Sequence, residues 1–231
     1  MHTRIVIVSE MAPCDSPDTW KVVVDDVSVA GTAGEHEPFV EHVSLTAPAG
    51  EVSLVATDPG IPQVALALAL GGRVPLLGGR VTAGAASAAA PLQRCTRLVD
   101  VADVTSPEEA IAVRAVVQEE LALAERPASR AAVAAFLDDH DVADAGARSW
   151  GRLPAAVRTS LLLELGALHP HVRVLVLAGP ERHGGDPAPW LETCHRLAAT
   201  GLAVIVLTTA ATVAALSTLT AAPAASKEPL A

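Results

Sequence analysis

A turn between two apolar runs constrains the fold of this chain more than any other feature. The run over Val52–Ala56 is followed by the turn residues Asp58, Pro59 and Gly60, and then by a second apolar run over residues 64–70. A short apolar run bounded by Gly and Pro predicts a buried strand, and the run after the turn predicts a helix. Strand–turn–helix units of this kind build α/β domains.

Other patterns extend the α/β prediction along most of the chain. Apolar runs predict strands at residues 98–102, 173–177 and 203–207, and alternating apolar residues predict strands at residues 21–29 and 40–46. A chain of 231 residues is long enough to bury a sizeable core within one domain.

The segment over residues 107–149 has a helical pattern instead. Ser106, Pro107 and Glu109 combine a cap, a first-turn proline and a capping-box acid, which predicts a helix that begins at residue 107. A second helix is predicted over residues 129–140, where apolar residues recur at helical spacing.

Gly50-Glu51 precedes the first strand–turn–helix unit and Gly79-Arg80-Val81 follows it. These edges match, without gaps, those of the nucleotide-binding subunits of ATP-binding cassette (ABC) transporters. Four segments, in order along the chain, resemble the motifs of that family. The resemblance covers about residues 22–215. It implies an α/β, P-loop NTPase-like ABC ATPase fold: a mixed sheet, an antiparallel N-terminal subsheet and a helical subdomain at about residues 104–168.

The first of these segments lacks the chemistry of a phosphate-binding loop. Such a loop needs several glycines, a lysine and a Ser or Thr hydroxyl, which surround the phosphates and hold Mg²⁺. One glycine remains here, and an acid at residue 58 would repel a triphosphate. The residues of this vestigial phosphate loop are Thr57, Asp58, Gly60, Gln63 and Val64.

The family's signature, Leu-Ser-Gly-Gly-Gln at the start of a helix, is replaced as well. A proline at the start of this helix keeps the scaffold, but the serine, both glycines and the glutamine are absent. The residues of the vestigial signature are Leu153, Pro154, Ala155, Ala156 and Val157.

Two further motifs have lost their functional side chains. The family's apolar strand ends in Asp-Glu-Pro, the Walker B motif, whereas Ala178 and Gly179 precede Pro180 here. Glu181 could serve as the polarising acid only if an insertion or deletion shifted this short motif. Thr209 stands at the place of the switch histidine and cannot shuttle a proton near neutral pH.

The resemblance implies a pseudo-ATPase that uses neither ATP nor Mg²⁺, because phosphoryl transfer depends on positioning and on charge neutralisation. Such a chain would be a structural or regulatory partner of a permease-like polytopic membrane protein. A second cassette subunit, the same or different, is a further candidate partner. The chain would lie in the cytoplasm, peripheral to the inner face of the cell membrane. The alternatives are a nucleotide-binding or weakly hydrolysing subunit of an ABC transporter and an unrelated α/β enzyme.

Two residues are candidates for contact with the membrane partner. Asp103 stands near the place of the family's glutamine, at the groove that receives a membrane helix. Trp150 precedes the vestigial signature and is either a buried anchor or an interface hot spot, since Trp is enriched in both.

Composition excludes other classes of function and delimits the domain. With 16 Lys and Arg against 26 Asp and Glu, the net charge of −10 disfavours nucleic acid. Three widely spaced cysteines predict no disulfide framework, and the His169-Pro170-His171 segment is interpreted as a turn and not as a metal site. Residues 1–20 are interpreted as a leader, residues 21–220 as the degenerate cassette and residues 221–231 as a disordered tail.

Overall fold

The computed structural model describes residues 7–8, 20–31 and 38–221 of the chain. The strands are β1 (Ile7–Val8), β2 (Lys21–Val29), β3 (Val40–Pro48), β4 (Val52–Ala56), β5 (Leu76–Ala83), β6 (Thr96–Val99), β7 (Val174–Ala178) and β8 (Ala203–Thr208). The helices are α1 (Ile61–Leu70), α2 (Ala89–Cys95), α3 (Val113–Leu123), α4 (Arg130–Asp139), α5 (Ala155–Ala167), α6 (Ala188–Ala198) and α7 (Ala210–Ala221).

A five-stranded sheet in the order β1-β4-β8-β7-β6 forms the centre of the molecule. Its last four strands are parallel, and β1 pairs antiparallel with β4 at the edge. Every residue of β7 and β8 is buried. The predicted apolar runs without polar alternation therefore correspond to strands covered on both faces.

A three-stranded antiparallel sheet in the order β3-β2-β5 packs beside it. Val24 lies opposite Leu45 on one side and Val81 on the other, and all three are buried. Gly79 allows a close approach in this sheet, since an added Cβ would lie 2.3 Å from the carbonyl oxygens of both Asp25 and Asp26. The glycine of the Gly-Arg-Val sequence thus has a packing reason.

The central sheet separates two hydrophobic clusters. Leu175 and Leu177 of β7 pack toward the helices that include α3, α5 and α6, whereas Val174 and Val176 pack toward α1 and the antiparallel sheet. Side chains of a strand alternate between its two faces, so one strand joins both halves of the core.

The helix predicted from residue 107 begins six residues later, at Val113, and that prediction is wrong. The Ser106 hydroxyl donates to Asp100 Oδ1 at 2.9 Å and caps no helix. A tertiary contact has therefore replaced the local cap. The second helix matches its prediction more closely, since Ser129 accepts from the Ala132 amide at the start of α4.

Strand β6 ends at Val99, three residues before the predicted end. Asp100 has a positive φ of 54°, and the Val101 carbonyl then accepts from the amides of Val104, Thr105 and Ser106. This turn ends the sheet pairing. Asp100, and not Asp103, is therefore the first residue after the strand.

The predicted leader at residues 1–20 and tail at residues 221–231 lie largely outside the described residues; Ile7–Val8 forms β1 and Ala221 ends α7. None of the helices in the described part of the chain has the length and apolar character needed to cross a membrane.

Candidate functional site

The vestigial phosphate loop lies where β4 passes into α1. Its Thr57 amide donates to the carbonyl of Thr208 at 2.8 Å, which ties the loop to the end of β8. Gly60 has a φ of 83° and precedes the helix, so the chain turns at the one glycine of the loop. Pro59 and Pro62 have no amide hydrogen to offer a ligand.

Glu181 connects this loop to two other elements. Gln63 in the first turn of α1 donates from Nε2 to Glu181 Oε1 at 2.9 Å, and the Thr208 hydroxyl donates to Glu181 Oε2 at 2.7 Å. Gln63 and Thr208 are both buried. Both oxygens of the acid are therefore occupied by protein donors at the head of α1.

The short turn after β7 brings Glu181 to this position. Gly179 has a left-handed backbone with φ 64° and ψ 43°, and Pro180 begins a 3₁₀ turn over Pro180–His183. An added Cβ on Gly179 would lie 2.8 Å from Gln63 Oε1. The vestigial phosphate loop and the vestigial Walker B segment therefore meet at Gln63 and Gly179, and a side chain at residue 179 would separate them.

A second polar cluster lies beside the first, at the ends of β6 and β7. The Asp100 carboxylate is 3% exposed and accepts from Arg182 Nη2 at 2.6 Å and from His183 Nε2 at 2.9 Å. Arg182 also donates from Nη1 to the carbonyls of Ala178 and Gly179, at 2.7 and 3.1 Å. We call Asp100, Ser106, Arg182 and His183 the Asp100 cluster.

The guanidinium of the Asp100 cluster is already bonded to protein acceptors. Arg182 directs its guanidinium to Asp100 and to backbone oxygens, and a buried acid needs such a partner. A group of three or more His, Cys, Asp or Glu that could hold a metal ion is absent from residues 7–8, 20–31 and 38–221.

The remaining predicted residues have structural surroundings. Leu153 is buried, Pro154 caps α5, and Ala155, Ala156 and Val157 follow as partly buried residues of its first turn. The Cβ of Ala155 lies 3.8 Å from a Cβ built on Gly185, so the vestigial signature lies beside the segment that follows the 3₁₀ turn. Val64 is partly buried in α1, and the Asp58 side chain is exposed.

Thr209 acts as a helix cap. Its hydroxyl accepts from the Thr212 amide at 3.2 Å at the start of α7. Asp103 is exposed with a positive φ of 56°, as predicted for a surface residue, whereas Trp150 is only 2% exposed. Of the two alternatives for Trp150, the structure shows the buried anchor, and Trp150 has no surface to offer a partner.

Sequence reasoning missed the residues that make these contacts. Asp100, Arg182 and His183 stand in no motif, and Glu181 was interpretable only through a shift of the Walker B segment. Their common feature is position: each follows the carboxyl end of a parallel strand, where ligands and functional groups gather in α/β sheets. The sequence did not reveal this position for Asp100, because the strand before it was predicted to run to residue 102.

Comparison with solved structures identifies the fold. A nucleotide-free ATP-binding cassette from an ABC transporter superposes with a TM-score of 0.62 at 15% identity, covering 86% of this chain and 84% of that chain. An ATP-binding protein assigned to an ABC transporter of Pyrococcus furiosus gives 0.60 at 17% identity, covering 82% of this chain and 91% of that chain. The chain has the ABC ATPase fold.

A third cassette-fold structure, a bacterial Atm1-family ABC exporter with ATP bound, gives a TM-score of 0.56 at 16% identity. The superposition covers 85% of this chain and 36% of the exporter chain. No family model and no curated protein matches the sequence. The cassette fold is thus preserved at a sequence identity that shows architecture and not activity.

Proposed function

We propose that this chain is a catalytically inactive cassette that serves as a structural or regulatory partner of a membrane transport protein. The contact that carries the proposal is the Glu181 carboxylate, held by Gln63 and Thr208 at the head of α1. In the family that the sequence resembles, the phosphates of ATP bind at the start of this helix. In this chain the Glu181 carboxylate lies there instead.

The residues around Glu181 do not fit MgATP. Two like charges about 4 Å apart repel by about 4 kcal/mol at an effective dielectric of about 20, so a phosphate would be opposed by the acid. A cavity of about 310 Å³ opens beside Glu181, and neither Lys nor Arg is among the described residues that line it. The described residues that line this cavity therefore offer no cation to neutralise a phosphate, and transfer depends on such neutralisation.

The partnership follows from the cassette fold combined with this chemistry. The solved structures that share the fold are parts of ABC transporters, as their descriptions state. The chain keeps both sheets and the helices α3, α4 and α5, whereas its own side chains fill the site around Glu181. This combination fits a docking role. We place the chain in the cytoplasm, at the inner face of the cell membrane and beside a permease-like protein.

The biochemical test compares the purified chain with Glu181→Gln. We expect no ATP hydrolysis above background and no Mg²⁺-dependent shift in Tm on addition of ATP, for either protein. Glu192→Gln, which removes an exposed acid on α6, controls for the change in net charge. Hydrolysis by the wild type that disappears in Glu181→Gln but persists in Glu192→Gln would overturn the proposal that the chain is inactive. It would support a weakly hydrolysing subunit instead.

The partner is tested by a pull-down of the tagged full chain from native membranes in mild detergent. Stoichiometric recovery of a polytopic membrane protein is expected, and recovery of the chain alone would contradict the proposed role. Asp103→Asn should reduce the recovery if the groove near Asp103 receives the partner. Asp141→Asn is the matched control, because Asp141 is also exposed and has φ 58° against 56°.

A further inference from the structure

A cleft rich in arginine lies at the end of the central sheet where the parallel strands begin. It has a volume of about 270 Å³ and is lined by Arg73 after α1, Arg94 in α2, Arg97 in β6, and His169 and His171 in the turn before β7. These residues surround the amino ends of β6 and β7, whereas the vestigial phosphate loop follows the carboxyl end of β4. The cleft is therefore separate from the site around Glu181.

Positive charge in this cleft exceeds negative charge, in a chain with a net charge of −10. Arg97 pairs with Glu120 at 2.6 Å, and His169 Nε2 lies 3.8 Å from the same carboxylate. Glu125 is the other acid at the cleft, against three guanidinium groups. Among the described residues, neither Arg73 nor Arg94 is in an ion pair with an acid.

The backbone holds Arg73 in the cleft before any ligand arrives. Its guanidinium donates to the carbonyls of Gly71, at 2.9 Å, and Thr96, at 3.4 Å. A Cβ on Gly71 would lie 2.3 Å from Arg73 Nη1, so glycine gives the guanidinium its space. A side chain ordered in advance loses less conformational entropy on binding, which favours affinity.

The surroundings of Arg73 disfavour the charged form of its guanidinium. Partial burial, and then the positive charge of Arg97, lower the pKa of Arg73 below its ordinary value. An anion bound beside Arg73 would favour the charged form of its guanidinium.

We propose that this cleft binds a phosphate-bearing anion. Guanidinium groups match the geometry of phosphate and carboxylate oxygens and bind both in a bidentate manner. Phosphate is favoured because the three arginines come from different elements, and a phosphate group presents three acceptor oxygens in different directions. A carboxylate presents two in one plane.

The first experiment titrates the full-length chain with inorganic phosphate by calorimetry at low ionic strength, with chloride at equal ionic strength as the reference anion. The variant is Arg94→Gln, since Arg94 is exposed and its loss removes no described ion pair. We expect saturable binding by the wild type that is at least about tenfold weaker in Arg94→Gln, the loss of one charge-assisted contact. Arg148→Gln, an exposed arginine outside the cleft, should bind as the wild type does.

A second arm distinguishes a free phosphate compound from a lipid headgroup. Vesicles of phosphatidylcholine with phosphatidic acid are compared with vesicles of phosphatidylcholine alone in a flotation assay. Binding to inorganic phosphate that needs Arg94 identifies a small phosphate compound, and Arg94-dependent flotation without phosphate binding identifies a headgroup. Absence of both, or binding of either kind that Arg94→Gln leaves unchanged, would overturn the proposal.

Discussion

Asp100 connects three segments of the candidate site through its side chain. Its carboxylate joins the end of β6 to Arg182 and His183 after β7, and Ser106 donates to it from the following loop. A buried acid of this kind is stable only while its partners remain, because removing one partner leaves an uncompensated charge.

We therefore expect Asp100→Ala to lower the free energy of unfolding by about 3–5 kcal/mol, since Arg182 and His183 would lose their acid in a buried setting. Urea denaturation measures this loss. Asp25→Ala is the control, because the Asp25–Arg80 pair is exposed and should contribute less than about 1 kcal/mol. Equal losses in the two variants would contradict the assigned role of Asp100.

The lowered pKa of Glu120 predicts that the free energy of unfolding depends on pH. Burial by itself raises the pKa of the Glu120 carboxyl, but interaction with His169 and the charge of Arg97 outweigh it, so that pKa lies below its ordinary value. A lowered folded-state pKa adds stability that is fully present above the unfolded value of about 4.3 and is lost as pH falls through the folded value.

The stability advantage of the wild type over Glu120→Gln should accordingly be greatest near pH 6 and shrink as the pH falls from about 5 toward 3. Parallel urea titrations at several pH values measure it. Glu119→Gln, which changes the exposed neighbouring acid, should show a smaller dependence. An advantage that grows on acidification would contradict the sign of the shift.

At the scale of elements, tertiary contacts moved boundaries that local signals had indicated. Ser129 caps α4 as its sequence predicts, but Ser106 donates to Asp100 and the helix after it begins at Val113. The two serines have similar local sequence signals for a cap. The difference is a buried carboxylate within reach of Ser106, which a local pattern cannot contain.

The cap formed by Thr209 gives a prediction for the stability contributed by helix α7. The Thr209 hydroxyl caps α7, so Thr209→Ala should cost about 1 kcal/mol of stability, the typical value of an N-cap, while Thr209→Ser should retain most of it. Thermal or urea unfolding measures both variants. Thr209→Ala with unchanged stability would contradict the cap.

At the scale of the whole molecule, the central sheet couples the two halves of the core. Ile205 packs on the side of α1 and the antiparallel sheet, whereas Trp150 and Trp190 pack on the other side. Because both clusters share the residues of one sheet, we expect the two halves of the core to unfold together.

Ile205→Ala should therefore destabilise the entire molecule by about 2–5 kcal/mol. Trp150 and Trp190 report on the opposite cluster, and Trp20 packs on the side of Ile205. The urea midpoint followed by tryptophan fluorescence should fall together with the midpoint followed by circular dichroism. Leu175→Ala, on the tryptophan side, is the matched variant and should behave alike. Separate transitions for the two signals would contradict the coupling.

The sequence alone predicted six of the described strands (β2, β3, β4, β6, β7 and β8) and the cassette resemblance, because these depend on local runs and on motif positions along the chain. It located β4, β7 and β8 to within about a residue, since a buried parallel strand is a continuous apolar run. Gly179 and Gln63 were in the predicted set, and the structure brings them together.

Only the tertiary structure decided which side chains share a site. Glu181 meets Gln63 across 118 positions of sequence and Asp100 meets His183 across 83, and three arginines from separate elements surround one cleft. Such contacts depend on the direction that the chain takes in each turn at the end of a strand. No local pattern in the sequence encodes that direction, because it depends on how the neighbouring strands and helices pack.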